Sequence, residues 1–567
     1  MSSPLDPYNI AITLRETAQR FPHQRGVIAP IGRDKSGRVT YSQLTFSQLD
    51  SESDALAAGL IKMGVAPGDK LVLAVRPGIE FIALTYAMFK AGGVIVLVDP
   101  GMGPKRVFGC LDQVEPDGFV GLPLVQFLRV LNGRRFSKAR FNVTVGGRRF
   151  WGGKTYRELL ELGRSRLLSD KKPNDSESSR WTLVERRRSD AAAIIFTSGS
   201  TGPPKGVVYE HGMFAAQVDA IRDFYGIEPG GIDVPGFPLF GLFNAAMGVT
   251  TLIPEMDAAR PATVDPAKIV EAIENQGATQ GFGSPAIWRR VGRYCADRGI
   301  TLPSLRRVFS AGAPVPEKVL AQMTATLVTP GAKMFTPYGA TEALPVASIS
   351  SQEVLEETVL KTRRGAGTCV GRRFPGMDLR IIAITDEPIP SIQDARELPR
   401  GQIGEILVRG PVVTREYYRL PQATASAKIS DGETFWHRMG DVGYLDESDR
   451  LWFCGRKSQR LETDQGPIYT DQVEPVFNTH PRVARTALVG VGPRPSQRPV
   501  LVVELESGTW SRELERELQD LGAGHETTRH VSTLLWHPTP LPVDVGDLGR
   551  EVDTLTILHA AKNHGFE

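Results

Sequence analysis

The chain has 567 residues, 41% of them hydrophobic, enough for a large core and more than one domain. A formal charge of +3 is nearly neutral for that length, so nothing in the composition calls for a nucleic-acid partner. Cys110, Cys295, Cys369 and Cys454 are scattered without CxxC spacing, which indicates neither a disulfide framework nor a zinc site.

The opening residues Met1–Asp6 lack the basic region and apolar core of a signal peptide, and the expected compartment is the cytoplasm. Lys70–Val75 is a short apolar run that suits a strand. Phe81–Val98 is mostly apolar, but Lys90 sits inside it and Gly92-Gly93 divides it. A helix from about Gly78 to Phe89 followed by a strand Val94–Val98 explains it better than a membrane span, so no integral membrane association is expected. Arg134, Arg135, Lys138, Arg140, Arg148 and Arg149 form the densest basic stretch. Apolar residues interrupt it, and it reads as a solvated face in preference to an anionic docking patch. Ser169 to Asp190 is polar and charged and reads as an exposed loop.

Ala191–Phe196 is another apolar strand pattern, and Thr197-Ser198-Gly199-Ser200-Thr201-Gly202-Pro203-Pro204-Lys205-Gly206 follows it directly. Glycines let the backbone approach a ligand, successive N–H groups form an anion nest, and the hydroxyls and Lys205 add donors and charge, so the ligand should be a polyphosphate. It is not a Walker A loop, because Pro204 precedes the lysine and no Ser or Thr follows it. From Gly401 to Tyr444 the pattern turns β-rich, with Ile403–Val408 typical of a strand. After Arg456 a helix over Gln472–Asn478 and strands over Thr486–Gly490 and Val500–Leu505 predict a small α+β unit. Strands alternating with helices throughout predict an α/β fold with largely parallel sheets.

The polyphosphate loop resembles that of the AMP-forming adenylating enzymes, the superfamily of acyl-CoA synthetases, adenylation domains and luciferases. Three further segments match in order. Tyr338-Gly339-Ala340-Thr341-Glu342 is similar to the aromatic-Gly-x-Thr-Glu motif, Gly440-Asp441 with Gly443-Tyr444 to the ribose segment, and Gly455-Arg456 to the start of the interdomain hinge. The resemblance implies a large N-terminal domain over 1–455, made of layered α/β subdomains and a β-rich one, and a small mobile α+β lid over 456–567. It implies ATP and Mg²⁺ as cofactors. Thr197, Ser198, Ser200, Thr201 and Lys205, with Gly199 and Gly202, would cradle the β- and γ-phosphates. Tyr338, beside Gly339, would stack on adenine, and Gly312-Ala313-Pro314 would wall it. Thr341 would contact the α-phosphate, Glu342 would hold Mg²⁺, and Asp441, assisted by Arg456, would bind the ribose hydroxyls. Lys205, Thr341 and Glu342 are the implied catalytic residues.

Tyr209-Glu210-His211, Gly365–Gly371, Arg438–Tyr444 and Trp452–Lys457 resemble one branch closely, the β-lactone synthetases of bacterial long-chain olefin biosynthesis. That branch implies a 2-alkyl-3-hydroxy fatty acid as substrate, no use of CoA, and other enzymes of the same lipid pathway as partners. A long-chain fatty acyl-CoA ligase is the alternative, with a catalytically impaired complex subunit the third reading. One departure motivates the third. Aligning the Gly549-Arg550-Glu551 ending places Asp547 where the superfamily carries a lysine, and Lys562 is the sole lysine after Lys457. Cys369 and Cys454 lack a neighbouring basic group that would make a reactive thiolate, and they read as small core residues. His211 and His437 flank the phosphate and ribose motifs.

Overall fold

The apolar runs around the polyphosphate loop lie side by side. Lys70–Ala74, Val94–Val98 and Ala191–Thr197 are parallel neighbours, continued through Gly118–Gly121, Phe141–Thr144 and Lys154–Thr155 on one side and closed by the antiparallel strand Lys205–Glu210 on the other. The computed structural model describes residues 5–147, 150–169, 183–197, 203–237, 240–537 and 541. Most of the segment expected as an exposed loop after Ser169 lies outside those residues.

A second, larger sheet is half parallel and half antiparallel. Its parallel block runs Lys333–Ala340, Arg307–Ser310, Gln280–Gly283, Ile232–Pro235, Thr250–Leu252 and Arg25–Arg33. Ala343–Ser350 then turns it antiparallel, and Thr368–Arg373, Leu451–Arg456, Thr434–Leu445, Gly404–Arg409 and Asp378–Ile382 extend it. Of these, Gly404–Arg409 and Thr434–Leu445 fall in the β-rich stretch predicted from Gly401 to Tyr444.

Arg456 ends the last strand that the chain contributes to this sheet. Beyond it, Val483–Val491, Arg498–Leu505 and Thr533–Trp536 form a three-stranded sheet covered by helices Thr470–Phe477 and Arg512–Ala523. Val473, Phe477, Leu488, Leu501, Leu514 and Leu518 give this unit its own core. Polar contacts tie it to the rest of the chain: Gln472 Nε2 donates to the Gly365 carbonyl at 3.0 Å, and Lys318 pairs with Glu506 at 3.2 Å.

The stretch that resembled a membrane span is the helix Ile79–Lys90 and the strand Val94–Val98. The helix is apolar on nearly every face because protein surrounds it, and no helix among the described residues is long and apolar enough to cross a membrane. Lys90, completely buried, reaches Asp50 at 2.5 Å and Asp54 at 2.6 Å, and Arg15 joins Asp54 at 2.7 Å. Burial raises the Asp54 pKa, with the Lys90 charge opposing the shift. Removing one partner of a buried ion pair strands the other. Lys90→Met is therefore expected to lower the unfolding free energy by about 3–5 kcal/mol, read from denaturant melts.

Candidate active site

Thr197 and Lys205 are register partners across an antiparallel pair of strands. Ser198, Gly199, Ser200, Thr201 and Gly202 lie outside the described residues. Lys205 opens the return strand and holds its Nζ 4.9 Å from the centre of the Tyr417 ring, a cation–π distance.

The Tyr338–Glu342 motif forms another hairpin. Ala340 pairs with Ala343, which leaves Thr341 and Glu342 as the two residues of the turn. Gly339 lies at a close approach, where an added Cβ would stand 2.6 Å from the Ala343 carbonyl oxygen. The tip is held from both sides. Tyr209 Oη donates to the Thr341 carbonyl at 2.7 Å, and the Thr414 N–H donates to the Glu342 carbonyl at 2.9 Å. The Glu342 carboxylate accepts from Tyr417 Oη at 2.7 Å. Residues 413–418 run as a strap between the two motifs. Val413 bridges Ala343, Tyr417 bridges Val207, and the Tyr418 N–H donates to the Gly206 carbonyl at 2.7 Å.

Asp441, on the long strand Thr434–Leu445, is buried. It accepts from Tyr338 Oη at 2.6 Å on one carboxylate oxygen and from Arg456 Nη1 at 2.8 Å on the other. Tyr338 and Asp441 are thus joined by a direct hydrogen bond, and Arg456 meets Asp441 because the two are register partners on adjacent strands. Burial, then the Asp441 charge, raises the Tyr338 pKa well above its ordinary value, so the phenol stays a donor. Gly312 turns the chain at φ +101°, a conformation that favours glycine, and Gly312 and Pro314 are exposed at the rim with Ala313 between them.

Two groups here had no motif to announce them. Lys428 and His437 are register partners in the pair of strands Lys428–Asp431 and Thr434–Leu445. Lys428 donates to the Thr414 carbonyl on the strap. Burial pushes its pKa down to about 7, with the Glu342 charge opposing. His437 is buried, and burial together with the charges of Lys428 and Lys205 keeps its imidazole neutral. Lys205, Lys428 and Glu342 thus converge from three separate elements. His211 is equally buried but packs edge-on against Phe89 and accepts the Ile10 N–H at 3.2 Å, a core role. Cys369 and Cys454 are buried as well; burial pushes the Cys369 thiol up to about 12 and raises that of Cys454, so neither is a ready thiolate.

Below this cluster lies an apolar pocket. Ala311 and Pro337, neighbours of Gly312 and of Tyr338, line one end, and Phe240, Phe243, Phe282 and Met247 line the body. Asp233 and Gln280 add polar groups to the lining. Asn244 Nδ2 donates to Asp233 at 2.8 Å.

Residues 14–418 match the family model described as AMP-binding enzyme. The chain belongs to the AMP-binding enzyme family. It is 46% identical to the olefin beta-lactone synthetase of Xanthomonas campestris over 555 residues, covering 96% of each chain. It is likewise 46% identical to the olefin beta-lactone synthetase of Stenotrophomonas maltophilia over 556 residues, 96% of this chain and 97% of that one. Among solved structures it resembles the amide bond synthetase McbA from Marinactinospora thermotolerans, with a TM-score of 0.76, 23% identity, and coverage of 97% and 99% of the two chains. That level of identity speaks for the fold alone. The family match ends inside the strap, at Tyr418, so Asp441 and Arg456 lie beyond it and their place in this site comes from the structure.

Asp233 supplies a pH signature. Burial, opposed by its hydrogen bonds with Asn244 and Gln280, pushes its pKa from the ordinary 3.8 up to about 7. The folded chain therefore holds this proton more tightly than the unfolded chain. The stability it contributes is complete below about pH 4 and is lost as pH rises through about 7. Asp233→Asn keeps an acceptor for Asn244 and has no such transition. Between about pH 5 and about pH 8 the parent is expected to lose stability on the order of a few kcal/mol relative to the variant, measured by denaturant melts at each pH.

Proposed function

We propose that this enzyme activates a fatty carboxylic acid with ATP and closes it to a β-lactone. The observation that carries the reading is the 46% identity to olefin beta-lactone synthetases across 96% of both chains. The converging cations and carboxylates beside an apolar pocket support it. In the first step a carboxylate oxygen of the acid attacks the α-phosphorus of ATP, and the bond to pyrophosphate breaks. In the second, the 3-hydroxyl oxygen of a 2-alkyl-3-hydroxy acid attacks the acyl carbon. The bond to AMP breaks and the hydroxyl proton is lost. An internal nucleophile needs no second substrate, and its high effective concentration drives closure of the strained ring.

In this reading the polyphosphate loop and Lys205 hold the β- and γ-phosphates, and Thr341 at the hairpin tip faces the α-phosphate. Tyr338 and the Gly312–Pro314 turn flank adenine, while Asp441, steadied by Arg456, takes the ribose. Lys428 adds positive charge behind Glu342. The cavity from Ala311 to Met247 takes the alkyl chains, which accords with its aromatic and aliphatic lining. Glu342 suits Mg²⁺. No cluster of three or more His, Cys, Asp or Glu side chains able to hold a metal is present among the described residues, and a single carboxylate completed by phosphate oxygens and water is a usual Mg²⁺ environment. Bound there, the ion would neutralise triphosphate charge. The division at Arg456 into residues 1–455 and a lid of 456–567 follows the point where the chain leaves the large sheet. Asp547, Arg550 and Lys562, on which the lid's part in adenylation turns, lie outside the described residues.

Product analysis tests the proposal. With ATP, Mg²⁺ and a 2-alkyl-3-hydroxy acid, β-lactone and AMP are expected in equal amounts, unchanged by CoA. A thioester formed solely with CoA would favour the acyl-CoA ligase, and absent ATP–pyrophosphate exchange would overturn both. Glu342→Gln keeps the shape and removes one charge. Its exchange rate is expected to fall, with the Mg²⁺ needed for half-maximal rate rising about 10- to 100-fold; an unchanged Mg²⁺ titration removes Glu342 from the metal site.

A further inference from the structure

The helix Pro123–Leu131 is inside out. Its one fully buried residue is polar: Gln126 donates from Nε2 to the Phe119 carbonyl at 2.9 Å and the Val143 carbonyl at 3.0 Å, pinning the helix to two strand edges. Its large apolar side chains face away. Leu124 is 65% exposed, Phe127 48% and Leu131 66%, with Leu128 and Val130 also exposed. Positions 124, 127, 128 and 131 form one stripe at helical spacing. The loop approaching Phe150 adjoins the start of the helix, where a Cβ on Gly147 would stand 3.3 Å from Pro123, and Phe150 itself is 83% exposed. Six of the thirteen exposed large hydrophobics among the described residues fall between Leu124 and Phe150.

Charge on this stretch is one-sided. Residues 118–157 contain nine Lys and Arg and no Asp or Glu, in a chain whose net charge is +3. Arg134, Arg135, Lys138 and Arg140 are exposed. The ion pairs of Arg135 with Asp112 and of Lys138 with Glu115 lie at the surface, where such pairs are weak and exchangeable. The outward-facing apolar residues thus flank the basic run, with Leu124, Phe127, Leu128, Val130 and Leu131 before it and Phe150 after it, while Phe136 and Phe141 within it are buried.

We propose that this face docks the enzyme on an anionic lipid surface, with the apolar stripe entering the headgroup boundary and the basic residues meeting lipid phosphates. An amphipathic helix with cationic flanks has that chemistry. A second copy of the chain fits less well, because two-fold pairing would set each basic rim against its twin.

Flotation of the full chain with phosphatidylcholine vesicles, with and without phosphatidylglycerol, tests this. Binding is expected to be at least about tenfold stronger with phosphatidylglycerol and to weaken with salt. The double variant Phe127→Ser/Leu131→Ser, altered only at exposed positions, is expected to lose binding while keeping its melting temperature and its ATP–pyrophosphate exchange in vesicle-free solution. Arg134→Gln/Arg140→Gln is expected to lose the lipid-charge preference. Absence of binding by the parent, or equal binding by the parent and the serine variant, overturns the proposal. So does a parent that is dimeric where the serine variant is monomeric, which would assign the face to a second copy.

Discussion

The site depends on the strap of residues 413–418. It hydrogen-bonds to the Thr341-Glu342 tip at one end and to the strand that Lys205 opens at the other. The two hairpins belong to different sheets, so no ladder would otherwise fix their separation. Tyr417 completes the link, with its ring under the Lys205 ammonium and its hydroxyl on the Glu342 carboxylate. A cation and a carboxylate from different sheets are thereby held at a set spacing by contacts within the protein.

Charge is handled in two ways inside this molecule. The Lys90, Asp50, Asp54 and Arg15 group is buried and mutually compensated, and it joins helices beneath the parallel sheet. Around the site the compensation is left incomplete by design of position. Lys428 sits near Glu342 with a pKa pushed down to about 7, and His437 beside it is kept neutral by burial and by the charges of Lys428 and Lys205. A polyanion entering this region would supply the missing negative charge.

The surface shows a related division. The helix Pro123–Leu131 is anchored by the amide of Gln126, which frees its leucines and phenylalanine to face solvent. That helix flanks the parallel sheet through Phe119 and Val143, while the apolar cavity lies against the other sheet. The helix and the hairpin that Lys205 opens thus share one sheet, while the apolar pocket belongs to the other.

The sequence by itself determined the local structure. Alternating strand and helix patterns specify the α/β layers, because each signal lies within a few consecutive residues. Ile79–Lys90 was legible as a buried helix from the lysine and the paired glycines that follow. The tertiary structure decided whatever depends on residues distant in the chain. The Tyr338–Asp441 bond spans 103 positions, and the approach of Lys428 to Glu342 arises from strand pairing and a strap with no motif of its own. The outward face of Pro123–Leu131 was equally hidden. Periodicity tells which residues share a face, but only the hydrogen bonds of Gln126 determine which face is turned to the core.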